Sequence, residues 1–309
     1  MSGDAATSDA GSVIPAGIRR RYRSFRNSRE LRAFFANPLN VVGLALVAAV
    51  ATAAVVGPVV APYDPTGQDL ANRLQSPSRS HPLGTDQLGR DLLSRLLYGA
   101  RISLGIAVAV TGIRLVLGTT IGLVAGYVGG WIDELLMRLV DVQLAFPGLV
   151  LALVIAGILG PSLRNVMIAL AVVGWASYAR VVRGSVLSTK ERPFVDAARL
   201  MGVSRTRIAV RHLLPNVASP VIVLATLNMG TVVLATAGLS FIGLGAQPPT
   251  PEWGTMIAEG RNYLRAAPWI VTAPGVAIML TVISFNLLGD GLRDALETDQ
   301  LEDESRRRI

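Results

Sequence analysis

Few residues of this 309-residue chain have side chains that could perform catalysis or hold a metal ion. There is no cysteine, and His81 and His212 lie far apart, so we expect neither a thiolate site nor a histidine-rich metal site. The only lysine, Lys190, stands between Thr189 and Glu191, whereas a phosphate-binding loop needs Gly-Lys followed by Ser or Thr. The sequence therefore predicts a chain that binds no metal or nucleotide of its own and is not an enzyme.

The composition favours lipid as the surrounding solvent. Half of the chain, 51%, is apolar and only 16% is charged, against roughly 25% charged in an average globular protein. A net charge of +8 could suggest a nucleic-acid partner, but the basic residues lie between long apolar runs, so no such partner is expected. Six runs are long enough to cross a hydrocarbon core as helices of roughly 20 residues. We place these spans at 40–62, 102–127, 139–160, 165–187, 216–243 and 268–289.

Two arginine clusters predict how the spans are oriented. One lies in the polar tail before the first span, and the other lies between spans four and five. Because positive charge is retained on the cytoplasmic side, both clusters are assigned to the cytoplasm, which places both termini there too. The segments 61–100 and 245–267 then lie outside, and we expect a surface amphipathic helix over 86–97.

The segment between spans four and five is too long for a simple turn. It reads Asp196-Ala197-Ala198-Arg199-Leu200-Met201-Gly202, then nine residues, then His212-Leu213-Leu214-Pro215. We predict a short exposed helix that starts near Pro193 and breaks at Gly202, where a glycine permits the backbone to reverse. The alternative interpretation is that this segment is an amphipathic connector without a docking role.

This segment resembles the coupling loop of binding-protein-dependent ABC importer permeases. The loop pattern is Glu-Ala-Ala, three residues, Gly, nine residues, Ile-x-Leu-Pro, and here Asp196 stands at the Glu position and His212 at the Ile position. Further motifs narrow the resemblance to the C-type permease of dipeptide, oligopeptide and nickel importers. They lie at 81–86, 89–91, 94–95, 138–147, 239–245, 251–254 and 286–294.

The resemblance implies an all-α membrane protein with six transmembrane helices in the type I ABC importer permease fold. The implied division is a cytoplasmic tail 1–38, a first span with an extracytoplasmic segment 39–100, a permease core 101–290 and a cytoplasmic tail 291–309. The implied partners are a B-type second permease, one or two ABC ATPase subunits that use ATP and Mg, and an extracytoplasmic substrate-binding protein. Dipeptides or longer peptides are the implied cargo, with nickel and glutathione as alternatives.

The resemblance also implies which residues couple the chain to its ATPase. They are Asp196, Ala197, Ala198, Gly202 and, at the start of span five, Pro215. The two alanines are interpreted as small so that the short helix can seat deeply in the partner. Transport would proceed by alternating access driven through this loop.

Three glycines in span two, Gly118, Gly122 and Gly126, recur at four-residue spacing and form a flat ridge that lets another helix approach. The ridge packs either inside the subunit or against the partner permease. Arg114 falls near the middle of the same span, where an isolated charge costs at least about 2.5 kcal/mol, so it should face protein or water. Lining of the translocation path and a structural pairing both remain open for Arg114.

Span three contains two charged residues one helical turn apart and a proline. Arg138 and Asp141 are expected to form an ion pair that orients the span, with a place on the translocation path as the alternative. Pro147 is expected to bend the helix.

Two other function classes compete with an ATP-driven permease. An ion-coupled secondary transporter usually carries carboxylates near the membrane midplane, and none is predicted there. An intramembrane hydrolase would need a base beside a nucleophile, but no histidine is predicted at membrane depth.

Overall fold

The computed structural model describes residues 34–307, with side chains as far as Leu296. The arginine-rich tail that predicts a cytoplasmic N-terminus lies outside the described residues. Within them the regular elements are helices, and the only strand-like feature is an isolated bridge between Thr85 and Asp91. The α-helices, in chain order, are α1 (Pro38–Val60), α2 (Leu92–Val128), α3 (Gly130–Leu144), α4 (Gly148–Leu159), α5 (Leu163–Lys190), α6 (Pro193–Leu200), α7 (Arg205–Ile208), α8 (Leu214–Phe241), α9 (Trp253–Gly260) and α10 (Trp269–Arg307).

Five helical runs in the described chain are long and apolar enough to cross a membrane. They are α1, α2, α5, the run from Arg205 to Phe241 and the first 28 residues of α10. The bent pair α3 and α4 brings the number to six if it counts as one span. The all-α membrane fold predicted from the apolar runs is thereby confirmed.

The predicted third span, 139–160, is not one helix. The structure has two helices there, α3 and α4, whose axes differ in direction by 86°. Pro147 causes the break, because proline lacks an amide hydrogen and disfavours helical backbone at the residue before it. The bend expected at Pro147 is therefore a full break between two short helices, since Pro147 is the residue just before α4.

Two other predicted boundaries differ from those observed. α2 begins at Leu92, well before the predicted start at 102, and it absorbs the second half of the surface helix expected over 86–97. Asp91 starts α2, because its carboxylate accepts a hydrogen bond from the Ser94 amide, 2.8 Å away. α10 continues to Arg307, past the predicted end of span six at 289.

The centre of the bundle is the pair formed by α2 and α5, which pack along most of their lengths. The glycine ridge of α2 lies against α5 within the same chain. A Cβ at Gly126 would come within 2.9 Å of Val186 Cβ, and Cβ atoms at Gly118 and Gly122 would collide with the α5 backbone. The missing side chains therefore set the close approach of these two helices.

Candidate functional site

The short helix α6 lies in the segment between the long helices α5 and α8, where the sequence predicts it. Pro193 occupies its first turn, where the fixed φ of proline suits a helix start. Asp196 also lies in the first turn, where a carboxylate stabilises the helix dipole, and its ion pair with Arg199 is solvent-exposed. We call this end of the bundle the α6 end.

Gly202 ends α6 with a Schellman motif. Its φ is +74°, in the left-handed region that glycine adopts without steric cost. The Gly202 amide donates to the Arg199 carbonyl at 3.0 Å, and the Val203 amide donates to the Ala198 carbonyl at 3.1 Å, which is the bonding pattern of this motif. The backbone reversal expected at Gly202 is therefore present.

The two alanines of α6 differ in exposure. Ala198 is 1% exposed and packs inward with Val195 against a cluster centred on Ile208 and Val217. Ala197 faces solvent. The interpretation that both alanines let α6 seat in a partner therefore needs correction, because Ala198 is already covered by its own chain.

The apolar tip of α6 was not singled out from the sequence. Leu200 is 90% exposed and Met201 is 76% exposed, although both are large apolar residues. Their position just before Gly202 is the sequence signal, because the Schellman turn leaves the last residues of α6 projecting from the bundle. Exposed large apolar residues clustered at one point indicate an interaction surface.

Pro215 lies in the first turn of α8, as expected, but α8 continues directly from α7. The helical run starts at Arg205 and reaches Phe241, and it passes through a π-helical turn at Ala209–Leu213. In that turn the Leu214 amide donates to the carbonyl of Ala209, five residues back. Such a turn accommodates the loss of one backbone hydrogen bond, because Pro215 has no amide hydrogen to donate. π-turns often occur at functional sites.

Ion pairs fasten α3 to α5 near the α6 end, but they are not the predicted pair. Asp141 accepts from Arg180, at 2.5 Å, and Arg138 pairs with Glu134 at 3.0 Å. Arg138 and Asp141 therefore have separate partners.

A more sheltered pair and a lysine add to this fastening. The Arg183 guanidinium donates to both carboxylate oxygens of Asp133 on α3. Lys190 Nζ donates to the Gly126 carbonyl at 2.9 Å, where it neutralises the C-terminal end of α2. Polar contacts thus join α3 to α5, and α5 to α2, near the α6 end.

Arg114 is 7% exposed and packs inside the subunit. Its Nε and Nη2 atoms both donate to the Leu170 carbonyl on α5, at 2.9 and 2.6 Å. Gly174 makes room for the guanidinium, because a Cβ at that position would collide with it. Of the two open interpretations, these contacts favour a structural pairing, although its partner is a backbone carbonyl rather than a carboxylate.

A network of charged residues holds the irregular 61–91 segment at the opposite end of the bundle. Arg90 and Arg95 are each 1% exposed. Asp86 accepts from Arg90 Nε at 2.6 Å and lies 3.5 Å from Arg95 Nε. Glu259, next to the end of α9, accepts from both arginines at 2.9 Å. Local sequence patterns do not reveal this network, because Arg90 and Glu259 are 169 positions apart.

An open groove of about 710 Å³ lies beside this network, at the end opposite α6. Its lining includes Tyr63, Asp64, Tyr98, Pro249 and Pro251. Arg95 Nη1 connects two of its walls by donating to the carbonyls of Pro65 and Pro249, at 3.2 and 3.5 Å. Hydrogen bonds from the Thr66 hydroxyl and amide lower the pKa of Asp64, so this exposed carboxylate is ionised at neutral pH. The groove is therefore firmly supported and carries negative charge.

The membrane fold, together with the exposed helix α6 between two long helices, is that of the permease subunit of an ABC importer. The sequence matches the family described as binding-protein-dependent transport system inner membrane component over residues 118–300, and the N-terminal membrane domain of oligopeptide transport permease C over residues 28–77. The chain belongs to the family of binding-protein-dependent transport system inner membrane components. It is a non-catalytic, multi-pass subunit of the inner membrane.

Curated relatives resemble the chain over most of its length. It is 48% identical to the dipeptide transport system permease protein DppC of Alkalihalophilus pseudofirmus, covering 84% of this chain and 86% of the relative. The di/tripeptide permease DppC of Pseudomonas aeruginosa is 42% identical, with 95% and 96% covered. The glutathione transport permease GsiD of Pectobacterium atrosepticum is 45% identical, with 76% and 79% covered.

A solved structure supports the fold. The chain resembles a chain of the MetNI methionine ABC transporter in an inward-facing conformation, with a TM-score of 0.52 and 19% sequence identity. The match covers 65% of this chain and 95% of the other. At that identity the likeness concerns the fold of the membrane core.

Proposed function

We propose that this chain is a permease subunit of an importer that moves dipeptides or oligopeptides across the cytoplasmic membrane. The observation that carries the proposal is the identity of 48% and 42% to permeases named for dipeptide and di/tripeptide transport, over most of the chain. Glutathione is the second candidate cargo, because permeases named for it are 45% and 46% identical. Nickel is a third candidate and can be tested in the same assay.

The energy comes from partner subunits in this proposal. One or two ABC ATPases hydrolyse ATP with Mg, while this chain itself binds no cofactor. α6 docks on an ATPase through Ala197, Leu200 and Met201, the residues of the segment that are accessible and small or apolar. Gly202 fixes the direction in which this tip projects. Asp196 supports the first turn, and Pro215 lies where the π-turn joins the docking segment to α8.

The remaining partners occupy other surfaces. A B-type permease shares the translocation path, and an extracytoplasmic binding protein delivers the peptide to the end opposite α6. The groove beside Arg95 suits such a docking role, because its walls are held by the buried charges and its exposed face carries tyrosines, prolines and Asp64. Both termini lie in the cytoplasm in this arrangement.

Transport by the reconstituted complex tests the proposed cargo. The chain, the second permease, the ATPases and the binding protein are placed in proteoliposomes, and uptake of a labelled dipeptide, glutathione and nickel is measured with and without ATP. ATP-dependent uptake of the dipeptide above the other two is expected. Uptake of glutathione or nickel alone would replace the peptide assignment, and ATP-independent uptake coupled to an ion gradient would indicate a secondary transporter.

Docking of α6 is tested separately by Leu200→Glu combined with Met201→Glu. Two charges at the exposed tip should disrupt an apolar contact with the ATPase and leave the bundle intact. Co-purification of the ATPase with the permease is the measurement. Leu264→Glu is the matched control, because Leu264 is also apolar and 50% exposed but follows α9 at the opposite end. Equal ATPase recovery with both variants would contradict docking through α6.

A further inference from the structure

A crevice of about 540 Å³ opens at the α6 end, between α5, α8 and α10. Its lining changes from polar to apolar along the helices. Arg192, Ser188 and Asn216 lie towards the α6 end, whereas Val181, Val223 and Leu227 lie deeper in the bundle. From Val181 to Arg192 the crevice extends over eleven residues, about 16 Å of helix rise. This gradient matches the order of charged headgroup, glycerol and upper acyl chain in a phospholipid.

Two arginines line the crevice. The lining includes Arg192 and Arg293 but no aspartate or glutamate. Among the residues that the structure describes, the Arg192 guanidinium has no ion-pair or hydrogen-bond partner. The backbone of Arg192 is bonded, because its amide donates to the Thr189 carbonyl and its carbonyl accepts from the Val195 amide. Guanidinium groups bind phosphate through paired, charge-assisted hydrogen bonds. The polar half of the crevice therefore suits a phosphate group.

We propose that this crevice binds an anionic phospholipid of the inner leaflet, with its phosphate on Arg192 and its acyl chains along Val181 and Val223. The assignment to the inner leaflet rests on the proposed orientation, in which the α6 end is cytoplasmic. Basic pockets between transmembrane helices on that side are suited to anionic headgroups. A free phosphate ion would match only the polar half, so the apolar depth of the crevice selects a lipid.

Such a lipid would join three helices directly behind the coupling helix. Arg192 immediately precedes Pro193, the first residue of α6. The phosphate would thus fix the residue from which α6 departs, while the acyl chains fill the space between α5 and α8. Anionic lipid would support the coupling segment and not the outer end of the bundle.

The test is retention of lipid by the assembled transporter in detergent, measured by native mass spectrometry. Phosphatidylglycerol should remain bound to the wild-type complex in preference to phosphatidylcholine. Arg192→Gln should reduce phosphatidylglycerol retention about tenfold, because it removes the charge-assisted contact. Arg211→Gln makes the same change at an exposed arginine of the same segment, outside the crevice, and should retain lipid as the wild type does.

Two further arms distinguish the source of the phosphate. Val223→Trp should fill the deep half of the crevice and reduce lipid retention, whereas millimolar inorganic phosphate should fail to displace the lipid. Equal retention by Arg192→Gln and Arg211→Gln would overturn the proposal. Displacement by inorganic phosphate, with no effect of Val223→Trp, would show a site for soluble phosphate and also overturn it. Retention is measured without cargo or ATP, so its failure is distinct from failure of the peptide assignment.

Discussion

Gly202 shows how a single backbone angle can control a proposed interface. Its φ of +74° closes the Schellman motif of α6, yet a Cβ at this position would meet no other atom within 4 Å. A substitution there therefore acts through backbone strain and not through a clash. Asparagine tolerates the left-handed region, whereas a β-branched residue does not.

Gly202→Val is expected to impair uptake, and Gly202→Asn to preserve most of it. Valine should strain the turn by about 1–2 kcal/mol and redirect Leu200 and Met201 at the tip of α6. Uptake, membrane abundance and ATPase co-purification are measured for the two variants in parallel. Normal transport by Gly202→Val at normal abundance would mean that the segment is only a connector.

The buried charges around Arg90 and Arg95 lead to a second prediction about single residues. Glu259→Gln removes the carboxylate that both buried guanidinium groups share. Breaking a buried ion pair by removing one partner costs about 3–5 kcal/mol, so the thermal unfolding temperature should fall and the 61–91 segment should become sensitive to protease.

Asp64→Asn provides the control for Glu259→Gln. Asp64 lies at the same end of the bundle, but its carboxylate is exposed and accepts hydrogen bonds from the amide and hydroxyl of Thr66, two residues along the chain. Its unfolding temperature should stay near that of the wild type. Matching unfolding temperatures for the two variants would show that the buried network contributes little to stability.

At the scale of whole helices, the seam between α2 and α5 depends on the absence of side chains. Gly122→Leu should prevent the two helices from approaching, because even a Cβ there would meet the Ala179 carbonyl and Val182. Overpacking of a tight interface costs about 1–3 kcal/mol or more, so the yield of folded permease should drop. Size-exclusion profiles and thermal unfolding of the purified chain measure this loss.

Gly112→Leu is the matched change on the same helix. Nothing lies within 4 Å of a Cβ at Gly112, so the purified chain should fold as the wild type does. If Gly112→Leu reduced the yield of folded chain as much as Gly122→Leu, the effect could not be attributed to the glycine ridge. If Gly122→Leu folded normally alone but failed to assemble with the second permease, the ridge would belong to the seam between subunits.

The long helices and α6 could be predicted from local signals. The lengths of the apolar runs predict α1, α5 and α8 to within a few residues. Pro193 and Gly202 predict the two ends of α6, because proline and glycine restrict or free the backbone at their own positions. Ion-pair partners could not be predicted in this way. Asp141 lies one turn from Arg138 but pairs with Arg180 on another helix, since tertiary packing decides which charge comes closest.

The break at Pro147 and the buried charges illustrate the same limit. A proline predicts that the helix bends, but the 86° angle of the bend depends on how α3 and α4 pack on α5. Arg95 and Glu259 are 164 positions apart, so no local spacing joins them. In these cases the local sequence does not show which distant residues become neighbours in the folded chain.

For the molecule as a whole, the charge distribution predicts which end faces the cytoplasm. Ser204 lies at the start of α7, and Thr250 lines the groove at the end opposite α6, so the two residues lie at opposite ends of the bundle. Because the chain has no native cysteine, Ser204→Cys and Thr250→Cys each introduce one unique label site. An impermeant thiol reagent should label Thr250→Cys in intact cells and Ser204→Cys only after the membrane is opened. Labelling of both from one side would rule out the six-span topology.

The continuous helical run from Arg205 to Phe241 can act as a lever, because a small tilt at one end displaces the other end. Its 37 residues span about 55 Å, so a tilt of about 10° about one end would displace the other by roughly 10 Å. The α6 segment is attached at one end of this lever. Near the other, Gly254 at the start of α9 sits so close to Ala237 that a Cβ would strike the α8 backbone. A rotation imposed beside α6 would therefore push directly against α9, which contains Glu259 and lies near the groove at the end opposite α6.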